Sequence, residues 1–124
     1  MNDKRPVNLD IGSIDLPLPA LASITHRVTG VFLVAGVAVL MWLLDCSLAS
    51  EESFNAVKES LDNFIVKLVV WVIMAGLIFH TCAGIKHLIM DMGYGESLEG
   101  GVTGAKLVFS ITVVLTLLVG ALIW

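Results

Sequence analysis

The sequence predicts an all-α membrane protein with three transmembrane helices that form part of a larger helical bundle. Composition is the first observation behind this fold class. Of the 124 residues, 57% are hydrophobic and 15% are charged, and the mean hydropathy is +0.94. A soluble domain of this length buries too little of its chain to hide so much apolar surface. A soluble enzyme with an interior active site is therefore nearly excluded, and a lipid bilayer must cover the apolar faces.

Three uninterrupted apolar runs are the second observation. They comprise residues 28–44, 68–85 and 107–124, and each is 17 or 18 residues long. At a rise of 1.5 Å per residue, each run covers about 26 Å, close to the thickness of a bilayer core once flanking residues are added. Membrane strands are disfavoured because period-2 alternation is absent. With their flanks, the predicted helices cover residues 22–46, 64–89 and 105–124.

Residues 1–19 are predicted to form an extended cytoplasmic segment in front of the transmembrane domain, which comprises residues 20–124. Pro6, Pro17 and Pro19 are expected to keep this segment extended, because proline disfavours helix at the residue before it. The transmembrane domain contains no proline, so its first helix is expected to begin at the membrane interface.

The two connections between the apolar runs differ in character. The first is acidic, and Ser50 followed by two glutamates predicts the N-cap of a short amphipathic helix. Phe54, Val57 and Leu61 share one side of that helix. The second connection, residues 86–106, contains five glycines and is predicted to break any helix.

The distribution of charge predicts the orientation of the chain. Five basic residues lie in the N-terminal segment and the second connection, and two lie in the first connection: Lys4, Arg5, Arg27, Lys86 and Lys106 against Lys58 and Lys67. By the positive-inside rule, the N-terminus is predicted in the cytoplasm and the C-terminus in the periplasm. The net charge of −4 gives no indication of nucleic-acid binding.

Ser23, His26 and Arg27 are polar residues at the start of the first apolar helix. Their spacing of i, i+3 and i+4 places them on one side of that helix. One interpretation is that Arg27 reaches the lipid headgroups and His26 lies at the interface. The other is a polar pocket for a ligand with carbonyl or carboxylate oxygens, which the arginine fork and the serine hydroxyl could bind.

His80 interrupts the second apolar run, where an ionisable side chain is costly and usually faces a partner or a cavity. A neutral imidazole could be satisfied by one interhelical hydrogen bond; alternatively, its Nε2 could bind haem iron. His87 and Gly84 lie on the same side of the helix. Gly84 is expected to leave room for a flat macrocycle. His26 is expected to lie too near the interface to be a second iron ligand.

Two segments together resemble the cytochrome b subunit of succinate dehydrogenase. They are residues 23–29 (SITHRVT), preceded by residues 5–7 (RPV), and residues 80–93 (HTCAGIKHLIMDMG). The resemblance extends from Arg5 to Trp124. One departure is Lys86, where the family usually has arginine; lysine keeps the charge but loses the bidentate fork.

The resemblance implies a membrane anchor of respiratory complex II in the bacterial inner membrane. The implied partners are a second small anchor subunit, an iron–sulfur subunit and a flavoprotein subunit, with haem b as cofactor and ubiquinone as substrate. It also implies that Ser23 and Arg27 belong to the quinone site and that His80 is the axial haem ligand. The second ligand is implied to come from the other anchor, and His26, Arg27 and His87 to lie near the haem propionates.

Two alternatives use the same sequence features. The first is the anchor of a quinol:fumarate reductase, in which the same parts work in reverse. The second is a structural membrane subunit without redox function. The two cysteines of the chain, Cys46 and Cys82, cannot form iron–sulfur clusters. Succinate oxidation is therefore expected to take place in another subunit.

Overall fold

Four α-helices make up the protein in the computed structural model, which describes Val7 and residues 9–124. The helices are α1 (Leu18–Ala49), α2 (Glu51–Ser60), α3 (Phe64–Asp91) and α4 (Leu98–Ile123). Three of them, α1, α3 and α4, are long and apolar enough to cross a membrane. The described residues contain no strand. The prediction of an all-α protein with three candidate spans is therefore confirmed.

Helix α1 begins earlier than we predicted from the positions of the prolines. Instead of remaining extended to residue 19, the chain forms a 3₁₀ turn at Ile11–Ser13 and enters α1 at Leu18. Pro17 is the N-cap and Pro19 lies in the first turn. Proline is tolerated there because the first N–H groups of a helix have no intrahelical partner to lose. The predicted positions of Lys4, Arg5 and Pro6 lie outside the described residues.

The short helix α2 confirms the amphipathic helix predicted after Ser50. The Ser50 side chain accepts a hydrogen bond of 3.0 Å from the Ser53 N–H, and two glutamates occupy the first turn. Negative side chains near a helix N-terminus are stabilising. Val57 and Leu61 are half-buried and line a cavity together with Leu43 of α1. Helix α2 therefore packs its apolar side against α1.

The glycine-rich connection is much shorter than predicted. Only residues 92–97 separate α3 from α4, with Gly93 and Gly95 at φ +90° and +69°. These positive values favour glycine because a Cβ would be strained there. Gly100, Gly101 and Gly104, which were expected to break a helix, lie inside α4. The Ser97 side chain caps this helix by accepting a hydrogen bond from the Gly100 N–H, and Gly101 is buried in the bundle. Capping and packing thus outweigh the weak helix propensity of glycine.

Glycines allow the three long helices to pack closely as an antiparallel up–down–up bundle. A Cβ on Gly36 of α1 would stand 3.1 Å from Ile73 Cγ2 of α3, and one on Gly76 of α3 would stand 3.2 Å from Phe32 Cε1. Between α3 and α4, Phe79 and Ala83 of α3 form a buried cluster with Val108 of α4. Small residues at helix crossings are typical of membrane bundles, where van der Waals contact drives association.

An aromatic cluster ties α3 to α4 at the end of the bundle next to α2. The Trp71 indole N–H donates a hydrogen bond of 2.8 Å to the Thr116 carbonyl oxygen. The Trp71 ring lies edge-on to that of Trp124 at 5.8 Å, and the Trp124 ring contacts that of Phe64 at 6.1 Å. Tryptophan is enriched at membrane interfaces because its ring is apolar and its N–H is polar.

Gly36→Leu tests the close approach of α1 and α3. We expect it to lower the free energy of unfolding by about 1–3 kcal/mol, because the larger side chain must displace Ile73. Ala35→Leu is the matched control, since Ala35 is exposed on the neighbouring position. Denaturation of the purified chain in lipid bicelles, followed by circular dichroism, measures both. Equal destabilisation by the two variants would contradict the packing described here.

Candidate functional site

Three histidines meet where α1 packs against α3. The His26 ring of α1 stacks on the His80 ring of α3, with centroids 4.1 Å apart and planes inclined by 17°. The His87 ring lies 5.2 Å from that of His26. All three side chains are half-buried. We call this group, His26, His80 and His87, the histidine cluster.

Two hydrogen-bond acceptors on α1 hold one nitrogen of His80. The Nδ1 atom lies 3.1 Å from the His26 carbonyl oxygen and 3.2 Å from Thr29 Oγ1. The Thr29 hydroxyl donates its own hydrogen to the same His26 carbonyl, at 2.9 Å, so its oxygen offers a lone pair to His80. Because both neighbours of Nδ1 act as acceptors, the neutral imidazole places its proton on Nδ1.

The other ring nitrogen of His80 is consequently an acceptor or a metal ligand. Its Nε2 has no hydrogen-bond partner among the residues that the structure describes. A neutral imidazole with Nδ1–H bonded to a carbonyl and a bare Nε2 is the usual state of a metal-binding histidine. The interhelical hydrogen bond expected for a neutral His80 is therefore present, and it leaves the ligating atom available.

Two glycines make room for the histidine cluster. A Cβ on Gly30 of α1 would stand 3.1 Å from His80 Cε1, so the absence of a side chain lets the ring lie against the α1 backbone. A Cβ on Gly84 of α3 would stand 3.5 Å from His26 Nε2. The space beside Gly84, which was expected to accommodate a macrocycle, is thus filled by the His26 ring.

The His26 ring lies between those of His80 and His87, with its centroid 4.1 Å and 5.2 Å from theirs. Because His87 follows His80 by seven residues, about 10 Å of helix, His26 lies nearer than His80 to the end of the bundle where α3 connects to α4. That His26 is not a second iron ligand stays a prediction.

Ser23 and Arg27 lie within one turn of His26 on α1. Ser23 is half-buried and Arg27 is exposed. Neither side chain forms a hydrogen bond or an ion pair within the part of the chain that the structure describes. Thr25, by contrast, donates its hydroxyl to the Leu21 carbonyl of its own helix. A serine hydroxyl and a guanidinium four residues apart, both without partners, could bind an oxygen-bearing ligand.

Thr29 is the residue whose role sequence reasoning missed. It lies in the first signature segment, three residues after His26. A helical threonine often bonds a carbonyl three or four residues earlier, so the spacing could have indicated the bond to His26. The contact with His80, 51 residues away along the chain, depends on how α1 and α3 pack.

Comparison with known proteins identifies the family. The sequence profile described as "Succinate dehydrogenase/Fumarate reductase transmembrane subunit" matches residues 1–119. The chain belongs to this family.

Relatives match over most of their length. The succinate dehydrogenase cytochrome b556 subunit of Coxiella burnetii is 40% identical over 125 residues, which cover 100% of both chains. That of Paracoccus denitrificans is 31% identical over 92% of this chain and 88% of its own. The human mitochondrial cytochrome b560 subunit is 28% identical over 91% of this chain and 68% of its own. The family profile and the Coxiella burnetii match both extend over the part of the chain that contains the histidine cluster.

The proton position on His80 is directly testable in this transmembrane subunit. In the chain labelled with ¹⁵N-histidine, we expect His80 to show a protonated Nδ1 and an unprotonated Nε2, because both α1 groups at Nδ1 are acceptors. Solid-state NMR in bilayers distinguishes the two nitrogens by chemical shift. In Thr29→Val, the proton should stay on Nδ1 and be donated to the His26 carbonyl oxygen alone, so the Nδ1 chemical shift should change. A His80 tautomer with the proton on Nε2 would contradict the site geometry.

Proposed function

We propose that this chain is the membrane-anchoring haem b subunit of a succinate:ubiquinone oxidoreductase and contributes to its quinone site. The observation that carries the proposal is the His80 ring, whose Nδ1 is bonded to α1 while Nε2 has no partner among the described residues. The family match and the relatives described above, which are named succinate dehydrogenase subunits, support the same assignment.

The partners follow from membership of the complex. In this proposal a second small anchor, an iron–sulfur subunit and a flavoprotein subunit accompany the chain in the bacterial inner membrane. Succinate is oxidised in the flavoprotein, and the electrons reach ubiquinone through the iron–sulfur subunit. Three apolar helices with largely exposed outer faces support membrane anchoring. The predicted orientation, with the α3–α4 connection and the N-terminus in the cytoplasm, is part of the proposal.

Haem b would be bound on the histidine cluster side of α3. His80 would hold the haem iron through Nε2, and a residue of the other anchor would hold it from the second side, as the family resemblance implies. His26, Arg27 and His87 are assigned to the region of the haem propionates. Bound haem supplies one-electron redox chemistry. The contribution of the chain is to orient the imidazole, fix its tautomer and exclude lipid.

Ser23 and Arg27 would bind ubiquinone at the membrane interface. The Ser23 hydroxyl donates to one carbonyl oxygen of the quinone, and the Arg27 guanidinium stabilises the negative charge that develops on the ring oxygens. Reduction to ubiquinol consumes two electrons and two protons. Because Ser23 lies near the aqueous boundary, ordered water and the exposed carboxylate of Asp91 can supply those protons.

The alternative direction, quinol oxidation coupled to fumarate reduction, is also consistent with the family, which includes fumarate reductase subunits. The names of the curated relatives favour succinate oxidation. A purely structural anchor is the other alternative, and the two experiments below distinguish it from the redox proposal.

Ser23→Ala tests the quinone site. We expect quinone reductase activity of the assembled complex to fall about tenfold, the worth of one hydrogen bond to a charged oxygen. Succinate oxidation with an artificial acceptor should be unchanged, since that chemistry lies in another subunit. Thr25→Val is the control, because its hydroxyl bonds its own helix. Equal loss of both activities in Ser23→Ala would instead indicate an assembly role.

His80→Ala tests the haem site. The reduced-minus-oxidised absorption spectrum of the purified complex should lose its haem b bands, because an alanine cannot bind iron. His87→Ala should retain the haem b bands, because His87 is assigned to the region of the haem propionates and not to the iron. A colourless wild-type complex that still reduces ubiquinone, or a His80→Ala complex with full haem content, would rule out this site.

A further inference from the structure

A groove between α3 and α4 lies on the opposite side of α3 from the histidine cluster. It encloses about 630 Å³, within the range of about 300–1,000 Å³ that is usual for small-molecule clefts. Each residue turns an α-helix by about 100°. Cys82 and Ile89, which line the groove, therefore face away from His80. We call this cavity the α3–α4 groove, and it is distinct from the proposed haem and quinone region.

The walls of the α3–α4 groove are apolar and lack a cover. Ile85 and Ile89 of α3 are 53% and 43% exposed, and Leu107 and Ile111 of α4 are 57% and 46% exposed. If the second anchor contributes the other haem ligand, as proposed above, it packs on the histidine side. The opposite side then faces the bilayer, so lipid is the material available to fill the groove.

The length of the groove matches one leaflet. Its α4 wall extends from Ser97 to Ile111, which at 1.5 Å per residue is about 21 Å. Half of a bilayer core of about 30 Å, together with one headgroup region, amounts to roughly 20–22 Å. A molecule filling the groove would reach from the headgroup layer to the middle of the membrane.

The lining of the groove contains one cation and one anion, Lys86 and Glu99. The stem of Lys86 lies over Gly104, where a Cβ would stand 2.9 Å from Lys86 Cε, about half-way along the α4 wall. Glu99 lies near the Ser97 end of that wall. No ion pair joins these two side chains, or either of them to another side chain, among the described residues. Both charges are therefore available to a ligand.

We propose that the α3–α4 groove binds one zwitterionic phospholipid from the leaflet at this end of the bundle. The phosphate lies at Lys86, the headgroup ammonium lies at Glu99, and an acyl chain fills the apolar walls. Charge complementarity selects this ligand, because an anionic lipid would leave Glu99 facing a negative headgroup. The inference goes beyond the proposed function and uses it only to place the second anchor.

Native mass spectrometry of the detergent-purified complex tests this site. The delipidated complex is titrated with dioleoyl phosphatidylethanolamine or dioleoyl phosphatidylglycerol in mixed micelles. We expect one tightly held adduct with the ethanolamine lipid and about tenfold weaker binding of that lipid in Lys86→Gln, which loses a charge-assisted hydrogen bond. Lys106→Gln carries the same charge change on an exposed position outside the groove and should bind as the wild type does.

Two further variants keep the test independent of net positive charge. Gly104→Ala should weaken adduct formation several-fold, because its methyl group displaces the Lys86 stem without removing the cation. Glu99→Gln should abolish the preference for ethanolamine over glycerol headgroups. The haem spectrum reports on correct assembly in each variant. A wild-type complex that binds the lipid but shows no haem spectrum would count against the proposed function and would still support this lipid site.

Three results would overturn the proposal. The first is equal lipid binding by Lys86→Gln and Lys106→Gln. The second is a wild-type preference for the phosphatidylglycerol probe. The third is a complex that takes up neither lipid, which would show that a protein helix or another molecule covers the groove.

Discussion

The hydrogen bond from His80 Nδ1 to the α1 backbone is the interaction on which the arrangement of the site depends. Lipid offers no hydrogen bonds, so an imidazole at this depth must find an acceptor on protein. The His26 carbonyl supplies it at 3.1 Å, with Thr29 Oγ1 beside it at 3.2 Å. That contact requires α1 and α3 to approach closely, and Gly30 permits the approach. The same contact therefore fixes both the packing of α1 against α3 and the position of the proton on the neutral His80 ring.

Two sides of helix α3 face different surroundings. One side carries His80 and His87 and packs on α1, while the other lines the apolar groove with α4. The stem of Lys86, where the family usually has arginine, lies over Gly104 of α4. This departure from the family therefore falls on the side of α3 that lines the groove and not on the side that carries His80.

Much of the fold could be predicted from the sequence, because the bilayer requires long apolar helices. The three runs, the Ser50 cap and the composition were sufficient for the all-α class and for α2. Helix ends were less predictable. Glycines 100, 101 and 104 resemble loop residues locally, yet they belong to α4, because the helix is maintained by backbone hydrogen bonds and by packing against neighbouring helices.

The candidate site was predictable in its residues and less so in its geometry. Spacing along one helix placed His80 and His87 on one side, but the depth of His26 relative to His80 depends on how two helices slide past each other. Residue spacing within α1 contains no such information. The stacking of His26 on His80, the occupation of the space beside Gly84 and the role of Thr29 all follow from that relative position.

The aromatic cluster gives the protein an asymmetric optical property. The three tryptophans of the chain are Trp42, Trp71 and Trp124. Trp42 and Trp71 lie in the halves of α1 and α3 that adjoin α2, and Trp124 caps the end of α4 there. Tryptophan fluorescence therefore originates at this end of the bundle, whereas the single tyrosine, Tyr94, lies at the other end. Tryptophan emission will therefore report unfolding or quenching near Thr116 and Phe64. It will not respond to events around Ser23 or Lys86, which lie at the other end.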